Sequence, residues 1–175
     1  MSLPHALLTA LIEHPCSGSE LAERFDRSIG YFWHATHQQI YRELARLEEA
    51  GWIEALPEES GRGRKRQYRI LPAGRKELRH WVAQQEDPKP LRDELMVRLR
   101  AEAALGSNEL CAEIERRQAL HEDKLALYQR LEQRDFVGKA PTRERRLQHL
   151  VLKAGILQEE LWLQISREAL EILGE

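Results

Sequence analysis

Apolar positions recur along the chain at two periods, and the changes of period mark the elements. Ile40, Leu44 and Leu47 fall at i, i+4 and i+7, which commits one face of a helix to a core, and Gly51 stands where a left-handed cap residue closes such a helix. Upstream, Leu7, Leu8, Leu11 and Ile12 form the stripe of a first helix that ends near Pro15. Ser17-Gly18-Ser19-Glu20 matches a capping box, in which the Ser17 hydroxyl accepts from the third helical amide and Glu20 reaches back; Leu21, Phe25 and Ile29 then carry a second helix to about Gly30. Tyr31, Phe32 and Trp33 bridge to the Ile40 helix, and three adjacent aromatics in a connection are expected to fill a corner of the core. After Gly51 the period drops to two. Trp52-Ile53-Glu54-Ala55-Leu56 is β-competent, and Gln67-Tyr68-Arg69-Ile70 alternates cleanly with Tyr68 and Ile70 on one face. Helices followed by a hairpin predict a winged helix-turn-helix: a mainly α fold with a small β-hairpin wing.

Polar, proline-bearing residues 84–90, just after a helix with Leu78, Trp81 and Val82, predict a boundary between a winged domain at 1–84 and a helical domain at 91–175. In the second domain Leu91, Leu95, Leu99 and Ala103 predict a helix over 91–105. Leu110, Ile114, Leu120, Leu127 and Leu131 predict another over 108–134, capped by Ser107 or Asn108. A third spans 142–173 and is apolar on more than one side. Leu147, Leu150, Val151, Ala154, Leu157, Leu161 and Ile165 make one stripe, while Leu152, Ile156, Leu163 and Leu170 lie off it. One stripe can pack on its own chain and the other on a second copy, so a symmetric homodimer is expected. The first stripe is the expected seam, although the pattern alone leaves open which of the two faces it is.

The polar faces carry the chemistry. On a helical period Gln38 and Arg42 lie nearly opposite Ile40, flanked by Gln39 and Arg46, and these side-chain types reach base edges or phosphates. On that helix alone a solvated surface is an equal reading. The segment Ser60-Gly61-Arg62-Gly63-Arg64-Lys65-Arg66 between the strands favours DNA. Four cations sit within five residues, and each phosphate they neutralise releases counterions. The net charge of −2 supplies no global attraction to DNA: residues 1–83 hold 12 basic and 11 acidic side chains, so the positive field is local to the wing.

With 42% apolar and 32% charged residues, no secretory segment and no apolar run long enough for a bilayer, a cytoplasmic protein with no membrane partner is expected. Cys16 and Cys111 lack metal-type spacing and are expected to be reduced thiols, with a redox-sensing role left open. His34 and His37 share a helical face but have no third ligand nearby, so polar contacts at the helix start are expected in place of a metal. Ser17, Ser19 and Ser28 sit in no nucleophile turn, no glycine-rich phosphate loop occurs, and the acid pairs Glu48-Glu49 and Glu58-Glu59 are expected to be solvated. Neither catalysis nor a cofactor is expected.

Leu7 to Ile12, Ser19-Glu20-Leu21, Phe32-Trp33, Gln39-Ile40-Tyr41-Arg42-Glu43-Leu44, Arg46-Leu47-Glu48, Gly51-Trp52-Ile53 and Tyr68-Arg69-Ile70 with Gly74 together resemble the PadR-like transcriptional regulators. The resemblance implies a phosphate contact for Tyr41, which the helical wheel places about a hundred degrees from Ile40, at a stripe edge that also permits a core role. One departure is Leu71-Pro72, where the family usually has a Thr or Ser to cap the next helix; Pro72 can still open that helix, with a weaker cap. The resemblance further implies dimerisation through the C-terminal helices and a small hydrophobic or phenolic effector bound between the winged domain and those helices. Trp81, Tyr128 and Trp162 are the aromatics available for it, with packing as the commoner role for such residues. The expected function is a DNA-binding transcriptional regulator, a repressor that binds a palindromic double-stranded operator as a homodimer. The alternative is a winged module for protein docking, which would not require wing cations and polar helix readers together.

Overall fold

The structure, a computed structural model, describes residues 3–26, 35–56, 66–88, 90, 92–140 and 142–174. Ser28, Ile29, Gly30, the aromatics 31–33, His34, Glu58, Glu59, the wing residues Arg62, Arg64 and Lys65, and Leu91 lie outside these residues, as does the side chain of Phe25. The chain divides into two compact units, Met1–Pro88 and Lys89–Glu175.

The first unit contains α1 (Leu3–Glu13), β1 (Cys16–Ser17), α2 (Gly18–Asp26), α3 (His37–Glu49), β2 (Ile53–Ala55), β3 (Gln67–Ile70) and α4 (Pro72–Val82). Its core joins Leu7, Leu8 and Leu11 of α1, Leu21 of α2, and Ile40, Leu44 and Leu47 of α3 to Ile53 and Ile70 of the sheet. The expected capping box of α2 is present: the Glu20 amide donates to Ser17 Oγ at 3.2 Å and the Ser17 amide to Glu20 Oε2 at 2.9 Å. Gly51 turns the chain out of α3 at φ 68°, the left-handed conformation the sequence required there.

The sheet has three antiparallel strands in the order β1-β3-β2, one more than the expected hairpin. Cys16 stands opposite Tyr68 in the added pairing. Two residues are too few to show alternation, which is why the pattern did not reveal β1. In α4 Leu71 occupies the N-cap without a side-chain hydrogen bond and Pro72 opens the helix, the weaker cap anticipated from the sequence. Backbone contact supports this helix instead. The Leu71 amide donates to the Trp52 carbonyl at 2.8 Å, and a Cβ at Gly74 would lie 2.3 Å from that same oxygen.

The second unit contains α5 (Glu94–Leu105), α6 (Cys111–Asp135) and α7 (Arg143–Leu173). Asp93 caps α5 by accepting from the Leu95 amide, and Thr142 caps α7 by accepting from the Arg145 amide. Neither Ser107 nor Asn108 caps α6, contrary to expectation. That helix starts at Cys111 with Leu110 at its N-cap, Ser107 Oγ donates to Glu102 Oε1 at 2.8 Å, and the Asn108 amide reaches the Leu173 carbonyl at 3.3 Å. Arg116 and Arg117 hydrogen-bond Glu113 in the first turn of α6 and hold its carboxyl down to about 2. Leu95, Leu110, Ile114 and Ala169 form the core of this unit, with Leu99, Trp162 and Leu170 packed against them. Along the α6–α7 seam Glu159 is 3% exposed and bridges two bases, taking a hydrogen bond from His121 and an ion pair from Lys124 Nζ at 2.8 Å.

Candidate nucleic-acid interface

The α3 helix owes its start to a second capping box that the sequence reading missed. The Gln39 amide donates to Thr36 Oγ1 at 3.2 Å, and the Thr36 amide donates to Gln39 Oε1 at 2.8 Å. The helix therefore begins at His37, with Gln38 in its first turn. Because Ile40, Leu44 and Leu47 are buried, Gln38, Arg42 and Arg46 come out on the opposite side one turn apart, all exposed. Gln38 and Arg42 make no side-chain hydrogen bond or ion pair among the described residues. These two have their polar ends free to meet a ligand.

The other readers named from the sequence are already engaged. Gln39 spends its carbonyl oxygen on the Thr36 cap, and Arg46 donates to Glu43 Oε2 at 3.3 Å within the helix. Arg66, at the foot of the wing, donates to Glu48 Oε1 at 2.7 Å and lies 5.6 Å from the centre of the Tyr68 ring. Glu48 is therefore an anchor for the wing and not the solvated acid the sequence suggested. Arg69 pairs similarly with Glu54 across β2 and β3, a cation that the cluster at 62–66 overshadowed in the sequence.

Tyr41 lies at the edge of the buried stripe, where its wheel position placed it. Its side is 47% exposed, yet a Cβ at Gly18 would stand 2.7 Å from its Cε1 atom, so the ring rests on the first residue of α2. A side chain at position 18 would push the ring away from that seat.

Other sequence candidates resolve into packing. Trp81 stacks on His5 with ring centres 4.4 Å apart, Tyr128 is 2% exposed with its ring over Gly155, and Trp162 packs against the core of the helical unit. Cys16 is buried, and that burial pushes its thiol pKa up, although Arg24 pulls the other way; the thiolate needed for redox chemistry is thereby disfavoured. Among the described residues no group of three or more His, Cys, Asp or Glu is arranged to hold a metal ion, and no helix is long and apolar enough to cross a membrane. On α7, Leu147, Leu150, Val151, Leu157 and Leu161 are each about half exposed or more and the smaller Ala154 is exposed, whereas Ile156 and Leu163 face the chain's own interior and Ile165 is half-buried.

Comparisons with known proteins cover both units. Residues 7–80 match the profile described as the transcriptional regulator PadR-like family, and residues 91–174 match the virulence activator alpha C-terminal region. A "probable transcriptional regulator" of Mycobacterium tuberculosis is 39% identical over 98% of both chains, and the "negative transcriptional regulator PadR" of Bacillus subtilis is 30% identical over 74% of both. Among solved structures, the Vibrio cholerae virulence activator AphA superimposes with a TM-score of 0.84 at 31% identity, covering 99% of this chain and 98% of that one. Bacillus subtilis PadR in complex with operator DNA gives 0.83 at 24% identity over 99% of each chain, a likeness of fold.

Proposed function

Since this chain belongs to the PadR-like family of transcriptional regulators, which are not enzymes, we propose that it binds a palindromic operator as a homodimer and acts there as a repressor. The observation that carries the DNA reading is the exposed face of α3, where Gln38 and Arg42 stand one turn apart with unengaged polar ends. A glutamine can bond an adenine edge and an arginine a guanine edge in the major groove, while the wing cations meet phosphates alongside. A fold neighbour solved on operator DNA and a relative named as a negative regulator support the reading. A neighbour solved with p-coumaric acid supports a phenolic effector for release.

Fluorescence anisotropy against the promoter fragment upstream of the chain's own gene tests this. Specific binding is expected to weaken steeply with salt and to survive competitor DNA. Changing Arg62, Arg64 and Arg66 together to Ala is expected to lower the slope of log affinity against log salt by about 2, fewer than three counterions because Arg66 only exchanges Glu48 for a phosphate. An absence of salt-sensitive binding to any DNA would leave the protein-docking alternative.

The homodimer reading rests on α7, whose outward apolar stripe is left exposed among the described residues. Two recognition helices about 34 Å apart suit the half-sites of a palindrome. Sedimentation of the unaltered protein is expected to give twice the 20.4 kDa chain mass. Leu157→Glu with Leu161→Glu, at positions 65% and 53% exposed, should leave helix content intact and yield the single chain. A 20.4 kDa species for the unaltered protein at micromolar concentration would overturn the dimer.

A further inference from the structure

A groove of about 510 Å³ opens in the helical unit between the end of α5, the connection to α6 and the last turns of α7. Its walls are largely apolar, including Leu99, Ala103, Ile165 and Ile172. Two carboxylates also line it, Glu102 and Glu168. Glu102 is unusual in being 8% exposed while holding a single partner, the Ser107 hydroxyl at 2.8 Å; it has no cation among the described residues. A carboxylate so far removed from water ordinarily has a positive partner.

The surrounding backbone deepens the same imbalance. The C-termini of α5 and α7 both end at this groove, through Gly106 and Leu173, and each directs the negative end of a helix dipole towards it. Neither helix carries a basic residue in its last turn, where one would offset the dipole. Glu168, exposed at the groove's edge, accepts from the neutral Gln164 amide and has no cation among the described residues. A negative field inside apolar walls therefore lacks its counter-charge.

We propose that this groove binds a protonated amine carried on an apolar or aromatic body. The ammonium would donate to Glu102 and lie near the carbonyls that end both helices, while the body would cover the Leu99, Ala103 and Ile165 wall. The volume falls in the range of small-molecule sites, and a carboxylate ligand is disfavoured by the same field. This site differs in charge preference from a phenolic-acid effector and does not depend on DNA binding.

Calorimetric titration of the full chain with phenylbutylamine, phenylbutanol and phenylbutyrate separates the headgroup from the body, which all three share. The amine is expected to bind at least about tenfold more tightly than the alcohol, with the carboxylate weakest. Glu102→Gln keeps the shape and the Ser107 contact, and is expected to bring the amine to within about twofold of the alcohol while leaving the alcohol unchanged. Ala103→Phe, built from an exposed position on the groove wall, is expected to abolish binding of all three with helix content retained by circular dichroism. Equal binding of amine and alcohol, an undiminished amine preference in Glu102→Gln, or no binding of any probe because a second copy closes the groove would each overturn the proposal. No DNA enters the titration, so its failure leaves the operator reading untouched.

Discussion

Gly74→Ala is expected to destabilise the winged unit by about 2 kcal/mol and to lower its unfolding midpoint by about 10 °C. At an open helical site the same change would stabilise by about 0.5–1 kcal/mol, because alanine is the better helix former. The sign reverses here because the added methyl would lie 2.3 Å from the Trp52 carbonyl oxygen and 3.0 Å from Ile70 Cγ1. Neither is a flexible end that can swing away. One atom is backbone of the residue just before β2, already accepting from the Leu71 amide, and the other belongs to a buried residue of β3. Relief requires α4 to lift from the sheet, which would also move the foot of the wing. Differential scanning calorimetry on the full chain checks this, and an unchanged or raised midpoint would show that α4 does not depend on the close approach.

The second large effect is expected in the helical unit. Glu159→Ala removes the acceptor that His121 and Lys124 share on the α6–α7 seam, where the glutamate is 3% exposed. The expected loss is about 2 kcal/mol, below that of a fully buried pair because both bases keep some contact with water. Glu159→Gln, which can still accept from one base, should fall between the two proteins. A pH signature separates this from a simple packing defect. Burial acts to lower the Lys124 pKa, but Glu159, with a smaller contribution from Tyr128, more than compensates, and the net shift is upward from 10.5. A base with a raised folded-state pKa contributes stability that is full below its unfolded value and lost as pH rises through the folded one. The unaltered protein should therefore lose its advantage over Glu159→Ala only above about pH 10.5. A constant difference across that window would sink the ion-pair account.

Elements with long-range periodicity were legible from the sequence, and those that depend on one close contact were not. Leu7, Leu8 and Leu11, then Ile40, Leu44 and Leu47, repeat on helical spacing and occupy the core of the winged unit. Tyr68 and Ile70 alternate with exposed neighbours and form a strand. β1 escaped because two residues carry no period. The Thr36 cap escaped because the helix was read from His34, although Thr36 followed three residues later by Gln39 is a capping pattern that the sequence does contain. On α3, residue type put Gln38 and Arg42 forward as readers and the family resemblance added Tyr41, but which cations are held by acids is a matter of register. Arg66 meets Glu48 across eighteen residues and Arg69 meets Glu54 across fifteen, separations invisible to local pattern. Glu102 and Glu159 were hidden for the opposite reason. Each looks like a surface acid on an amphipathic helix, and only the packing of a neighbouring helix buries it.

The seat of Tyr41 on Gly18 bears on how quickly and how firmly α3 can engage a partner. A half-exposed tyrosine on a bare helix would sample several rotamers and surrender that freedom at every encounter. Here the ring leans on the backbone at the start of α2, so its orientation is settled when the chain folds and little side-chain entropy remains to be lost on contact. If α3 enters a major groove as proposed, it does so with one large side chain already posed, and Gly18 at the start of α2 becomes a determinant of residence time.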